Sequence, residues 1–518
     1  MTRKARVDFV SLSRDPLSVL LNLRRTNWVS LYGPPFRQLG YIEDYLRHRE
    51  IGCQSLVIEN HYIDRDHMHD HSAFYSTSLH PYGNSCQRVH FFKAKSSDVR
   101  TTFEKLLKIG TTGDVSGLEA ASHQFSREYL GFSVIKPLSG SPVGRTVLAC
   151  YGKNKDDGTI RLFPSTRKYR VHVLGIELSI HGLAFQQQDL GVSACATTAL
   201  WCSLQKIQDG EDLGGAVPAQ ITQLASRFTL PFGRPMPSEG LSVDQMCMAV
   251  QGLGFAPNLL RTEDFETGRG LLYSAIRSGF APVLILERRA SDEAHAVAVA
   301  GMNIQAKRAA DAFIGEDKKT CTGERASQLN GVYVHDDRYG PYLRANLQQV
   351  RSKLHLGIDK DKDGKSPESW ELTHLLIPSH QKIRLSFSAL RQIALILTER
   401  INALRVAELE EVAQKGADVT LVFDNWVERN SRYCDKLLAS GDIGPETLFT
   451  FFATTPLSRY IGIVRLEALY FGAVDVLIDS TSTPSNLHFL AIVVRKKGLH
   501  SDVVARHLSH ECQCPFII

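Results

Sequence analysis

A multidomain protein of mixed α/β and α+β class is predicted by three features of the sequence. Its 518 residues leave room for several domains of ordinary size. A hydrophobic fraction of 43% beside 22% charged residues supplies core material together with a solvated surface. Short apolar runs bounded by Gly and Pro alternate with longer stretches of helical periodicity along the whole length. The charge balance, 60 Lys and Arg against 55 Asp and Glu, gives +5. That is too little for this length to specify nucleic acid or an anionic membrane as a partner. No apolar run reaches the roughly 18–20 residues of a membrane span. Met1–Asp8 is not followed by the apolar stretch and cleavage site of a secretory signal. Ten scattered cysteines fit free thiols in a reducing compartment, so a cytoplasmic location is expected. Cys512 and Cys514 stand too close together for the usual paired zinc ligands. The oligomeric state is left open.

The elements follow in order. Residues 1–180 read as an α/β region of unknown function. Its strands are expected at Ser55–Glu59, Gln87–Lys93, Phe132–Pro137, Thr146–Tyr151 and Tyr169–Leu178, with an amphipathic helix at Ser97–Lys108. Residues 181–345 carry the chemistry. Residues 346–369, with the charged stretch Gly357–Ser369, read as a linker. Residues 370–518 form a second α/β region of unknown function. It has a long helical pattern over Ser386–Gln414 and strands at Val419–Phe423, Tyr460–Val464, Val474–Ile478 and His488–Val494.

Within 181–345 a polar loop ends at Ser193, a good N-cap residue. The small and apolar run that follows has helical character and places Cys195 in the first turn. There the helix dipole favours thiolate, the nucleophilic form. An amide donor just upstream, Gln188 or Gln187, can join the Cys195 backbone N–H in stabilising an oxyanion. A turn and a buried strand, Gly279–Leu286, lead through a charged loop, Glu287–Glu293, into a second strand opened by His295. A third strand, from Gly331, ends at Asp336 and Asp337. A carboxylate there would accept the second ring N–H of His295 and fix its tautomer.

This order of Gln, Cys-led helix, His-led strand and Asp-ended strand resembles the papain-like cysteine peptidases. The likeness is greatest to the compact bacterial branch that trims double-glycine leaders, the bacteriocin-processing peptidases. The residues that carry it are Cys195-Ala-Thr-Thr-Ala-Leu, Gly279-Phe-Ala-Pro-Val, His295-Ala-Val-Ala-Val-Ala-Gly301 and Asp336-Asp-Arg-Tyr-Gly340, with the helix Leu241–Gly252 between them. The resemblance implies a papain-like domain over 181–345 acting on a protein or peptide substrate without a cofactor. Cys195 would be the nucleophile, His295 the base, Asp336 the orienting acid and Gln188 the oxyanion donor. Three positions depart from the pattern. Ala196 replaces the usual Gly after the nucleophile. Asp189 occupies the usual place of the oxyanion Gln. Asp337 replaces the Pro after the acid, which leaves Asp336 and Asp337 as alternatives, Asp336 being preferred for its strand-end position. A polar insertion over about 303–330 separates the last two strands. The leader peptidases are fused to transporter modules absent from this chain. A free-standing peptidase, isopeptidase or amidase is therefore expected. The same thiol would serve a transamidase, and a module that has lost catalysis would serve binding or assembly.

A second cluster comprises His61, Asp64, Asp66, His67, His69, Asp70 and His71. His67 and His71 stand one helical turn apart, as zinc ligands can. An ordinary helix whose buried stripe is Tyr62, Met68 and Phe74 is the simpler account. A partner-binding surface is a further reading, and no metal is assigned. Cys202 is expected in the core, and Gly144-Arg145-Thr146 and Arg459-Tyr460 at the solvated surface. Gly252-x-Gly254 lacks the preceding strand and following Lys of a phosphate loop.

Overall fold

The computed structural model describes residues 7–12, 15–21, 23, 36–138, 140–153, 158–189, 191–192, 194–207, 215–227, 236, 240–288, 293–305, 313–314, 321–358, 368–408, 420–483, 486–514 and 516–518. Near the N-terminus, β1 (Val7–Ser11), β2 (Ser55–Tyr62), β3 (Cys86–Phe92), β4 (Tyr129–Ile135) and β5 (Val143–Leu148) form an antiparallel sheet in sequence order. Its connections hold α1 (Leu17–Leu20), α2 (Arg37–Arg47), α3 (Arg65–Ala73), α4 (Ser96–Thr111) and α5 (Val115–Phe125). The sheet is covered on both faces. Leu56 and Ile58 of β2 share a core with Leu39, Ile42 and Leu46 of α2, while Val57 shares another with Val99, Phe103 and Leu106 of α4. The two-residue period of a strand sends neighbours to opposite cores, which is why β2 begins as a continuous buried run.

Next come β6 (Thr159–Leu162), β7 (Arg167–Val173) and β8 (Ile176–Gly182). Where the sequence predicts one strand over Tyr169–Leu178, the chain makes a β7–β8 hairpin, turning at Leu174 and Gly175 with φ of 51° and 82°. Then follow α6 (Cys195–Ile207), α7 (Pro218–Ala225), α8 (Val243–Gly252), β9 (Ala256–Arg261), α9 (Phe265–Arg277), β10 (Val283–Arg288), β11 (Glu293–Gln305), β12 (Phe313–Ile314), β13 (Cys321–Glu324), β14 (Leu329–Asp336), β15 (Gly340–Val350), β16 (Lys353–Ile358) and β17 (Glu368–Ser379). Six of these strands run in the order β10-β11-β14-β15-β16-β17, and β17 returns to β10 to close an antiparallel barrel. β9 extends it beyond β17, and β6 adds to β11.

The barrel corrects the expected boundaries. β6 lies before residue 180 yet joins the barrel sheet, and residue 345 falls inside β15. The expected linker, 346–369, contributes the rest of β15, all of β16 and the start of β17. Leu354, Leu356 and Ile358 are buried on alternate positions, the period-2 signal of a strand. The charged stretch between β16 and β17 overshadows that signal in the sequence; residues 359–367 lie outside the described residues.

The last region holds α10 (Phe387–Glu408), β18 (Thr420–Arg429), α11 (Asn430–Ser440), α12 (Pro445–Thr454), β19 (Tyr460–Ala468), β20 (Gly472–Asp479), β21 (Phe489–Lys497) and α13 (Ser501–Glu511). The helix predicted over Ser386–Gln414 is described as far as Glu408; the rest of that span lies outside the described residues. The sheet order is β12-β13-β18-β19-β20-β21. Its first two strands come from the insertion between β11 and β14, and β13 pairs with β18 in parallel. Ser274 Oγ of α9 donates to Asn425 O of β18 at 3.0 Å, a further tie between this sheet and the barrel region. No described helix is long and apolar enough to cross a membrane.

Candidate active site

Cys195 is the first residue of α6 and is half-buried, whereas Ala196 to Gln205 are all buried. A helix enclosed on every side needs small residues where neighbours approach, and Ala196, Thr197, Thr198 and Ala199 provide them. Thr197 Oγ1 meets Thr222 Oγ1 of α7 at 3.0 Å. Ala196 is 3% exposed, so the methyl that replaces the usual Gly is accommodated within the core. Ser193, expected as the N-cap, lies outside the described residues. Cys202 is buried, as expected.

The imidazole comes from β11. His295, the third residue of that strand, is 6% exposed and pairs across the ladder with Leu286. The Cys195 side chain is among the neighbours that favour its charged ring. Nε2 donates to Asp336 Oδ1 at 3.1 Å, which leaves Nδ1 as the nitrogen for the sulfur. Asp337 Oδ1 is farther away, at 3.7 Å from Nε2, and its Oδ2 is buried without a partner. Of the two acids the strand-end one, Asp336, is therefore the nearer partner of the ring.

Asp336 is in turn held by Arg338. The Arg338 backbone N–H and Nε donate to Oδ1 at 3.0 and 3.2 Å, and Nη2 donates to Oδ2 at 2.9 Å. The guanidinium lies 5.0 Å from the Trp370 ring centroid. Trp370 also approaches the His295 ring, with centroids 6.0 Å apart, and donates its Nε1–H to Glu368 at 3.2 Å. Electrostatics follow this geometry. Burial opposes the charge on His295, but the Asp336 carboxylate and the hydrogen bonds to Asp336 and Cys195 outweigh it and raise its pKa to about 10. Burial also opposes ionisation of Asp336, yet His295 and Arg338 hold its carboxyl well below the usual range. For Asp337 burial wins: with the repulsion of Asp336 added, its pKa is raised despite His295.

The N-terminal sheet region braces both halves of this arrangement. On the acid side, Gln38 Nε2 of α2 donates to Asp337 O at 2.9 Å. Gly340 has no room for a side chain, because a Cβ there would lie 2.2 Å from the Tyr41 ring. On the thiol side, Asp189 Oδ1 accepts from the N–H groups of Gly191 and Val192 at 3.0 and 2.7 Å, fixing the loop before α6. Asp189 Oδ2 pairs with Lys136 Nζ at 3.4 Å in a buried ion pair. Gly191 is pressed against Phe74 and Tyr75, just beyond α3.

That contact gives the histidine-rich segment its place. Asp64 caps α3, accepting from His67 N at 3.0 Å. Asp66 pairs with Arg145 at 2.6 Å, and the Arg145 side chain is 24% exposed, so it lies in an ion pair where a solvated surface was expected. Asp70 accepts from Ala219 N, in the first turn of α7, at 3.1 Å. The Nε2 atoms of His67 and His71 donate to Gly83 O and Tyr82 O at 3.0 and 3.1 Å. Among the described residues, the group whose ligand atoms converge closely enough for a metal ion is His295, Asp336 and Asp337. Arg338 already covers both oxygens of Asp336 there, a cation where a second cation would have to sit.

Of the upstream glutamines, Gln187 is engaged: Oε1 accepts from Val143 N at 3.3 Å and Nε2 donates to Gly140 O at 3.4 Å. Gln188 is half-buried, and its side chain makes no hydrogen bond among the described residues. Gln186, which the sequence does not single out, is buried with an unpartnered Nε2. Arg338 was discoverable, since it directly follows the two acids. Trp370 arrives from the far end of the expected linker and has no local signal. No protein-family model matches the chain, and no curated protein matches it.

Proposed function

We propose that this chain is a cysteine hydrolase of the papain-like type, acting on an amide or peptide bond. The observation that carries the reading is the His295–Asp336 hydrogen bond, with Cys195 at a helix N-terminus among the groups that act on the same ring. A helix N-terminus and an imidazolium both favour thiolate. The sulfur attacks the carbonyl carbon, and the oxyanion is received by the Cys195 N–H and the Gln188 amide. His295 then protonates the leaving amine. Water, activated by the neutral imidazole, hydrolyses the thioester and releases the acid. Asp336, fixed by Arg338, keeps Nδ1 directed at the sulfur throughout.

The test is selective alkylation. Burial pushes the thiols of Cys53, Cys86, Cys150 and Cys512 up to about 12. Iodoacetamide at pH 6 should therefore modify Cys195 ahead of every other cysteine, read by peptide mass spectrometry. Cys195→Ala should remove that reaction and any turnover while leaving the fold intact. Uniform labelling, or full biological activity in Cys195→Ala, would overturn the hydrolase in favour of a binding or assembly module.

A further inference from the structure

Away from the Cys195 site, a concavity of about 460 Å³ opens where the end of α5 meets the β7–β8 hairpin. That volume falls in the range of small-ligand sites, roughly 300–1,000 Å³. Tyr129, Phe163 and Ile180 give it an apolar floor. Its rim carries His123 and Arg127 from the end of α5, and Lys168 and His181, which are cross-strand partners in the hairpin. Among the described residues no carboxylate lines it. The nearby acid of the hairpin, Glu177, is directed to Arg170 and His172, at 3.9 and 3.7 Å. Among the described residues no carboxylate pairs with Arg127 or Lys168, and both are exposed. Cations at the end of α5 would by themselves only complement its dipole. Lys168 and His181 come from a separate element, so the convergence of both pairs on one apolar-floored hollow needs another account.

We propose that this hollow binds a small organic phosphate of nucleotide size. The phosphate faces Arg127 and Lys168, and the flat body lies against Phe163, beside the buried Tyr129 and Ile180. Charge-assisted hydrogen bonds to the phosphate oxygens hold the head, and stacking holds the body. Ser179 and Thr166 bring hydroxyls to the same wall. That wall is tied to the last turn of α6: Lys206 Nζ donates to Thr166 O at 2.5 Å and Arg167 Nη2 to Gln205 Oε1 at 3.2 Å. The proposal stands whether or not the Cys195 site is catalytic.

The experiment is calorimetric titration of the full chain with ADP, with pyrophosphate and adenosine as its two halves. ADP should bind saturably, each half at least about tenfold more weakly. The double variant Arg127→Ala/Lys168→Ala should weaken ADP by about tenfold or more, with an unchanged thermal midpoint because both side chains are exposed. Lys168→Glu alone should also weaken ADP binding, and Arg170→Ala, outside this rim, should not. Absence of saturable ADP binding, or a double variant that binds within twofold of the parent, overturns the proposal. Pyrophosphate binding as tightly as ADP removes the role of the apolar floor and overturns the nucleotide-sized ligand.

Discussion

In α3, His67 and His71 each place Nε2 on a backbone carbonyl of the segment Tyr82–Gly83, at 3.1 Å or less. On β11, His295 places Nε2 on a side-chain carboxylate at 3.1 Å, and its ring is influenced by the Cys195 side chain. The acids differ in the same way. Asp64 and Asp70 hold the N-terminal turns of α3 and α7, and Asp66 holds Arg145, so each closes a structural joint. Asp336 is held by Arg338 and in turn holds a titratable ring. Of two clusters rich in the same residues, one has its histidines tied to backbone carbonyls and the other has its histidine tied to a side-chain carboxylate. Residue type and density do not separate them; the partner of each ring nitrogen does.

The comparison breaks most readily at His295. His295→Ala should slow Cys195 alkylation at pH 6 by up to about 10²-fold, because a thiol without a cationic partner is mostly protonated there. His67→Ala should leave the rate per folded molecule unchanged. Equal slowing in both variants would end the distinction. Arg338→Met leaves Asp336 buried with one cation fewer. It should lower stability by on the order of 3 kcal/mol in a urea melt and slow alkylation, as expected when a buried ion pair loses one member. His67→Ala should cost about 1–3 kcal/mol through the unsatisfied Gly83 carbonyl, with no change in zinc affinity by chelator competition.

The smallest expected effect is at Asp337, and its sign is informative. Its folded pKa is raised, so as pH climbs above the ordinary carboxyl value the unfolded chain gives up this proton first, and stability falls. Asp337→Asn should therefore raise the melting midpoint at neutral pH, with the gain vanishing in acid. Asp336 has the opposite sign: its contribution is present above the ordinary carboxyl value and is lost as pH falls below it. The His295 contribution is complete below about 6.5 and is lost as pH rises through about 10. An Asp337→Asn variant that melts lower at neutral pH, or that slows alkylation more than Asp336→Asn, would exchange the roles of the two acids.

Much of the site was legible because its signals are local. A small-residue helix behind Cys195, a strand opened by His295 and a strand ended by Asp336 each declare themselves within a few residues. Arg338 directly follows the two acids and could have been found from that position. The bracing of the thiol loop by Asp189 and Lys136 was not legible, since a buried ion pair across 53 residues leaves no periodic trace. Nor was the barrel closure by β16 and β17, whose buried Leu354 and Trp370 flank a charged stretch that reads as a linker.

By itself the sequence determined the order of the candidate residues along the chain and the helix or strand that presents each one. Periodicity and turn chemistry are encoded within about a dozen residues. Only the tertiary structure decided between Asp336 and Asp337, because that choice rests on 3.1 against 3.7 Å across two paired strands. It also decided that the histidines of α3 hold a joint, because their partners are carbonyls 11 and 16 residues away. Neighbouring residues of identical type differ in function only through what folding sets opposite them, and a linear chain does not record that.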